Sequence, residues 1–253
     1  MTHIPKNRFC TACRKCKAQR KRQRRGPGSG PRPPNFGYLT ADHIISRSAW
    51  NKGVDNSSDA VLIYDRCTDH TGFYPVKSKS AQNAEEALRQ YTGLDTLHMV
   101  YTDGSPELKA ACRKRNVPFQ RTSPPGKWRK NGRIERQVGI LKAGTRSSIE
   151  RSGLTPNAWP WAGKHFVFAR NIAQITDPQH PNFASSPYQL RFGEEFKGHI
   201  IPFGAKIDFM PTPTNPRPQD QKRGLVQEHS HWCFLVVQHA GRQMGWHLRL
   251  CLA

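Results

Sequence analysis

At 253 residues the chain is long enough for one domain of enzyme size and a smaller one. Forty Lys and Arg against 18 Asp and Glu give a formal charge of +22, an imbalance that repels itself unless a polyanion neutralises it, so nucleic acid is the expected partner. No apolar run is long enough to span a bilayer and no signal peptide is evident. Seven cysteines, three of them packed at Cys10, Cys13 and Cys16, do not make a secreted disulfide framework and imply reduced thiols in cytosol or nucleus.

Residues 1–34 read as a Cys-bearing fragment and a basic, Pro/Gly-rich linker. CRKCKAQRKRQRR carries eight Lys or Arg between Arg14 and Arg25, and GPGSGPRPP has no reason to fold. FGYLTADHI predicts a strand with a polar tip, SRSAWNKGVDNSS a long loop, and DAVLIYDRC and TGFYPVKS two strands joined by a turn around Thr68 to Gly72. SAQNAEEALRQYTG predicts a helix capped by Ser80 and stopped at Gly93. LDTLHMVYTD is the next strand. SPELKAACRKR is a helix with Ser105 as cap, Pro106 at its first position and Glu107 in its first turn. After the short strand VPFQRTS, the basic loop PPGKWRKNG leads into the helix RIERQVGILKAGTRSSIERSG. TPNAWPWAGKHFVFARNIAQI is a further helix, interrupted near Pro160, whose Trp159, Trp161, Phe166 and Phe168 read as core. The order predicts an α/β domain over 35–176, a mixed sheet with helices on its faces. Residues 177–253 read as a linker and a small β-rich region. IPFGAKIDFMPTP, HWCFLVVQHAG and MGWHLRL are its strands, and the lack of a closing strand before Ala253 suggests a domain cut short.

Three carboxylates stand out on this skeleton. Asp42 ends the first strand, Asp103 ends the strand after the first helix, and Glu135 lies in the first turns of the helix after the basic loop. Two neighbouring strand ends and a nearby helix can bring them to one spot, where divalent cations would offset their repulsion. Mg²⁺ or Mn²⁺ prefers such all-oxygen ligands. Two ions clamp the attacking and leaving oxygens of an in-line phosphoryl displacement. Each residue also has a plainer reading: Asp103 as a helix cap, Asp42 as a strand-end polar residue, Glu135 in spaced ion pairs. Among the rivals, Asp65 with Arg66 and Asp69 suggests a salt-bridged hairpin turn, and Glu107 suits the helix dipole.

The ordered segments TADHI, AVLIYDRCTDHTGFYPVKSKSA, VYTDGSPEL and NGRIER resemble the catalytic core of retroelement integrases, nearest to those of copia-type long-terminal-repeat retrotransposons. The resemblance implies an RNase H-like fold with a five-stranded mixed sheet over about residues 36–176. It also implies two Mg²⁺ or Mn²⁺ ions held by Asp42, Asp103 and Glu135. The activity implied is DNA integration: 3′-end trimming, then attack of the 3′-OH on target DNA. Double-stranded DNA would be the partner, in a homo-oligomer that brings two ends together in the nucleus. Between Asp103 and Glu135 lie 31 residues, fewer than is usual in the family.

Family members precede this core with a His-His-Cys-Cys zinc module whose last ligands are a C-x2-C pair. Cys10 and Cys13 match that pair, Cys16 offers a second register, and His3 lies seven residues before Cys10. These four are the zinc candidates; free thiols in an unstructured tail are the competing reading. Lys127, Trp128, Arg129 and Lys130 in the basic loop, with Arg133, Arg136, Lys142 and Arg146 on the following helix, are the candidate DNA contacts. Trp128 suits either base stacking or anchoring of its loop. Arg14 to Arg25 suits a DNA-holding arm or a nuclear address. Alternatives to an active integrase are an RNase H-like nuclease and a decayed fragment that only binds nucleic acid.

Overall fold

The structure, a computed structural model, describes residues 7, 9–16, 32–45, 52–102, 104–117, 120–122, 132–208 and 231–233, with backbone alone at 120–122, 206–208 and 231–233. Strands β1 (Tyr38–Ile45), β2 (Asp59–Asp65), β3 (Thr71–Val76), β4 (Met99–Thr102) and β5 (Gln120–Thr122) form one sheet in the order β3-β2-β1-β4-β5. β2 is antiparallel to both β1 and β3, whereas β4 runs parallel to β1 and β5. The sheet is therefore mixed, as the sequence order predicts. DAVLIYD of β2 is buried along its whole length, the mark of a strand covered on both faces. Pro75 is tolerated because β3 is an edge strand.

Each face of the sheet has its own core. On one, Leu39, Ala41, Val61, Ile63 and Val100 meet α2 (Ala81–Thr92) and α3 (Pro106–Lys114). On the other, Ile44, Ala60, Leu62 and Tyr64 meet α4 (Gly132–Ser152) and α5 (Trp159–Ile172) through Ile134, Leu141, Phe166 and Val167. Alternate residues of one strand serve opposite faces, as the period of two requires.

Local signals account for the helices. Ser80 caps α2 by accepting from the Asn83 N–H at 3.1 Å, and Gly93 ends it at φ 59°. Pro106 opens α3 as predicted, but the Ser105 side chain does not cap that helix. Its hydroxyl donates instead to Glu107 Oε2 at 2.6 Å. The break near Pro160 lies slightly earlier than predicted. Pro156–Ala158 form a 3-10 turn and α5 starts anew at Trp159. Pro160 then falls in the first turn, where no helical N–H is needed. Phe166 and Phe168 are buried, and Trp159 and Trp161 pack partly buried, so the aromatic row is core. At Gly144, an added Cβ would lie 2.2 Å from the Phe166 ring, so glycine lets α4 and α5 approach.

Past α5 the chain remains on the core. Ile175 and residues 184–185 exchange backbone hydrogen bonds, and α6 (Pro187–Phe192) is capped by Ser186. Its Arg191 lies 4.2 Å from the Phe36 ring centroid and 4.4 Å from that of Tyr91. Further on, β6 (Lys206–Asp208) and β7 (His231–Cys233) pair antiparallel, with Asp208 opposite His231 and Lys206 opposite Cys233.

The turn between β2 and β3 is held by both of its aspartates. Asp65, fully buried, accepts from Gly37 N, Cys67 N, Thr68 N and Thr68 Oγ1. Asp69 accepts from Tyr64, Asn182 and Arg32. The salt bridge predicted for this turn thus forms with Arg32, which precedes β1, and lies at 2.7 Å.

Two buried histidines make this fold sensitive to acid. His70 faces the Asn171 side-chain amide at one ring nitrogen and Arg191 at the other. Burial, then the Arg191 charge, pushes its pKa well below the ordinary 6.5. Burial also lowers His165, against its hydrogen bond to the Ile201 carbonyl. Below about pH 6.5 the unfolded chain takes up these protons and the folded chain does not. Stability therefore falls as pH drops, by up to about 1.4 kcal/mol per pH unit for each group. Urea unfolding between pH 7.5 and 5 should show this slope, and His70→Gln should reduce it by about one proton's worth. An unchanged slope in that variant would assign the sensitivity elsewhere.

Candidate active site

β1 supplies the first of the three carboxylates. Leu39 and Ala41 face α2 and α3, whereas Ile44 lies in the cluster under α4 and α5, so the strand's alternation puts Asp42 on the α4 side. Asp42 is half-buried, stands opposite Leu62 of β2, and accepts from the His43 N–H at 2.8 Å. On the other flank of β1, Thr40 pairs with Tyr101 and β4 ends one residue later at Thr102. Asp42 thus lies where the parallel strand β4 runs out. Ligands of open α/β sheets collect beyond the carboxyl ends of such strands.

α4 supplies the second. Ile134, Gln137, Leu141, Gly144, Thr145 and Ser148 are buried at three- and four-residue spacing, which fixes the helix's inner stripe. Glu135 is exposed in the first turn, where a carboxylate also suits the helix dipole. Its neighbour Ile134 shares a buried cluster with Leu62, the cross-strand partner of Asp42. Asp42 and Glu135 therefore belong to the same side of the sheet, over the start of α4. Asp103, the third expected ligand, lies outside the described residues, as do Lys127, Trp128, Arg129 and Lys130. Among the described residues no group of three or more His, Cys, Asp or Glu side chains is placed to hold a metal ion.

The rest of α4's outer surface is basic. Arg136, Lys142 and Arg146 are exposed and Arg133 is half-buried. Glu107 is a separate matter. Ser105 first, and then the N-terminus of its own helix and Lys79, hold its carboxyl down at about 2. That places it in a capping role at α3, as the dipole reading predicts. Asp65 and Asp69, the other rivals, are committed to the β2–β3 turn.

The cysteine segment departs from the unstructured tail that competed with the zinc reading. Thr11–Cys16 form a short helix, α1, against α4. Cys13 is fully buried and Lys15 Nζ meets Glu150 Oε1 at 2.7 Å. The apolar pair Ala12 and Cys13 buries against a packed helix, which isolated sequence cannot reveal. A hydrogen bond from the Cys13 backbone lowers the Cys10 thiol, while burial raises that of Cys16. Of the four zinc candidates His3 lies outside the described residues, and Cys10, Cys13 and Cys16 do not form a metal-holding group.

Arg170 near the end of α5 donates to Gln137 Oε1 of α4 at 2.6 Å, a contact between residues 33 positions apart that no local signal in the sequence reveals.

No protein-family model matches the chain, and no curated protein does. The catalytic core domain of HTLV-2 integrase, in complex with magnesium and in a trimeric form, is 15% identical with a TM-score of 0.45, over 61% of this chain and 96% of that one. The catalytic core domain of BIV integrase is 11% identical with a TM-score of 0.41, over 62% of this chain and 94% of that one. The chain is similar to both.

Proposed function

We propose that the chain is a DNA strand transferase of the retroelement integrase class, which trims a DNA 3′ end and joins it to target DNA. The observation that carries the reading is the position of Asp42, on the central strand, on the α4 face, where β4 ends. Glu135 begins the helix that covers that face. Asp103 follows Thr102 directly in the chain and is the third member on sequence grounds.

The donor set fits hard divalent cations. Asp42 and Glu135 offer oxygen alone, half-buried and exposed respectively, as Mg²⁺ or Mn²⁺ prefers. Bound there, such ions supply Lewis-acid stabilisation of the attacking and leaving oxygens. The chain's part is to fix Asp42 on a rigid central strand and Glu135 on the first turn of a long helix. Arg133, Arg136, Lys142 and Arg146 hold the DNA phosphates along α4. The attacking group is water for trimming and the DNA 3′-OH for joining, and no side chain is covalently modified. Assembly of several copies on two DNA ends, in the nucleus, belongs to the same proposal.

The test is a strand-transfer assay on an oligonucleotide that mimics an element end, with Mg²⁺ or Mn²⁺. Wild-type chain should give joined product. Asp103→Asn should lose product by about 10³-fold while DNA affinity stays within about twofold. Wild-type binding without cleavage or joining would leave a nucleic-acid binder and end the enzyme reading.

A further inference from the structure

The pairing of β1 with β4 covers Tyr38 to Thr40 against Met99 to Tyr101, after which β4 stops at Thr102 while β1 continues to Ile45. The part of β1 that carries Asp42 thus lies past that ladder, where it meets the turn into α3. Gly104 takes φ 99° there, and its N–H donates to Thr102 Oγ1 at 3.2 Å. Ser105, the next residue, is buried, and its Oγ lies 3.4 Å from Nδ1 of His43. Leu39 and Ala41 face α2 and α3, so alternation along β1 puts His43 on that side of the sheet and Asp42 on the other.

The protons of this contact can be assigned. Ser105 Oγ lies 2.6 Å from Glu107 Oε2, and Lys79 Nζ lies 3.3 Å from the same oxygen. With its pKa held at about 2, the Glu107 carboxyl is ionised at neutral pH and only accepts. The hydroxyl gives its one proton to Glu107, so toward His43 it offers a lone pair. The imidazole therefore carries its proton on Nδ1 and donates to Ser105. Lys79, Glu107, Ser105 and His43 form one chain of polar contacts that ties β1 to the turn after β4, to α3 and to the connection before α2. A slip of any member leaves a partly buried polar group short of its partner, which holds the set in one geometry.

We infer that His43 and Ser105 are positioning residues of the proposed ion site, holding the part of β1 that carries Asp42 against the turn whose sequence includes Asp103. The link to the carboxylate is direct: the His43 backbone N–H donates to Asp42 Oδ1 at 2.8 Å, so fixing the ring fixes that donor. Glu107 acts one step further out, by setting the direction of the Ser105 hydroxyl. The inference rests on the ion-binding half of the proposed function.

The experiment uses the full chain without DNA and takes Mn²⁺ as the probe, its affinity read from the electron paramagnetic resonance signal of the free ion. Wild type is compared with Asp42→Asn, Ser105→Ala, Ser105→Thr, His43→Gln and the double variant of Ser105→Ala with His43→Gln. The thermal midpoint without ions and the nitrogen NMR signals of the His43 ring are measured alongside. Ser105→Ala and His43→Gln should each weaken Mn²⁺ by about tenfold, the effect expected of groups that orient metal ligands. The double variant should fall within about twofold of either single one, because the two residues act through one contact. Ser105→Thr keeps the hydroxyl and should restore binding, and the wild-type ring should carry its proton on Nδ1. Mn²⁺ held by Asp42 but bound equally well by Ser105→Ala overturns this inference and leaves the proposed function standing. Mn²⁺ that shows no preference for wild type over Asp42→Asn defeats the ion site, and this inference with it. Should Ser105→Ala fail to fold, the wild-type ring decides alone: a proton on Nε2 overturns the inference.

Discussion

Replacing Glu135 by Gln is expected to abolish strand transfer by about 10³-fold or more, at nearly unchanged stability and DNA affinity. The two halves of that expectation rest on different facts. Glu135 is exposed in the first turn of α4 and packs into no core cluster, so its main structural contribution is to the helix dipole. That is worth only about 0.3–1 kcal/mol. The buried stripe that holds the helix, beginning at Ile134, is untouched. A carboxylate that holds a catalytic ion is different in kind. Losing several kcal/mol of transition-state stabilisation, about 4, corresponds to roughly a thousandfold in rate. Asp42→Asn should behave alike, and removal of divalent ions with a chelator should mimic both. Activity within about tenfold of wild type in Glu135→Gln would confine that residue to the dipole role and remove it from the chemistry. Single-turnover strand transfer, with binding measured in the same buffer, reads both quantities.

Asn171→Leu is expected to be the most destabilising single change among the polar residues described here, at about 3 kcal/mol. Asn171 lies near the end of α5 and is almost fully buried. Its Oδ1 accepts from the Thr71 N–H at 3.0 Å, and its amide donates to the Thr71 carbonyl at 2.8 Å. It meets edge strand β3 as a neighbouring strand would, satisfying both backbone groups of Thr71. Leucine has similar bulk but leaves a buried donor and a buried acceptor unpaired, at about 1–3 kcal/mol each. His70, packed beside the same amide, loses a neighbour as well. Urea unfolding should show a lower midpoint at unchanged m-value. A shift under about 1 kcal/mol would mean that solvent reaches the Thr71 backbone when the amide is gone.

The two expectations mark a divide in what could be read from residues alone. Glu135 was legible because its signals are local: a polar tip after a strand, a basic loop, then NGRIER opening an amphipathic helix. Asn171 carried no such signal, since its partner lies 100 residues away. The same contrast holds within single elements. Ser80 and Gly93 were recognised as the ends of α2 because a cap acts within one turn. Ser105 occupies the predicted cap position, but a closer acceptor in Glu107 takes its hydroxyl. Pro160 signalled a break, and neighbouring residues decided on which side of it the helix begins.

Composition and local pattern determined the excess of positive charge, the α/β alternation and the first turn that carries Glu135; they also marked the strand of Asp42, but Asp42 does not end it as predicted, since β1 runs three residues further to Ile45. Charge balance, a period of two or 3.6 and terminal capping are all properties of residues within a few positions of each other. Tertiary structure alone decided that Cys13 is buried under α4, that Arg32 supplies the salt bridge of Asp69, and that Arg191 lies between Phe36 and Tyr91. Such partners become neighbours only when the sheet orders its strands β3-β2-β1-β4-β5 and lays α4 and α5 over one face. Their energies depend on separation in space, which sequence distance does not fix.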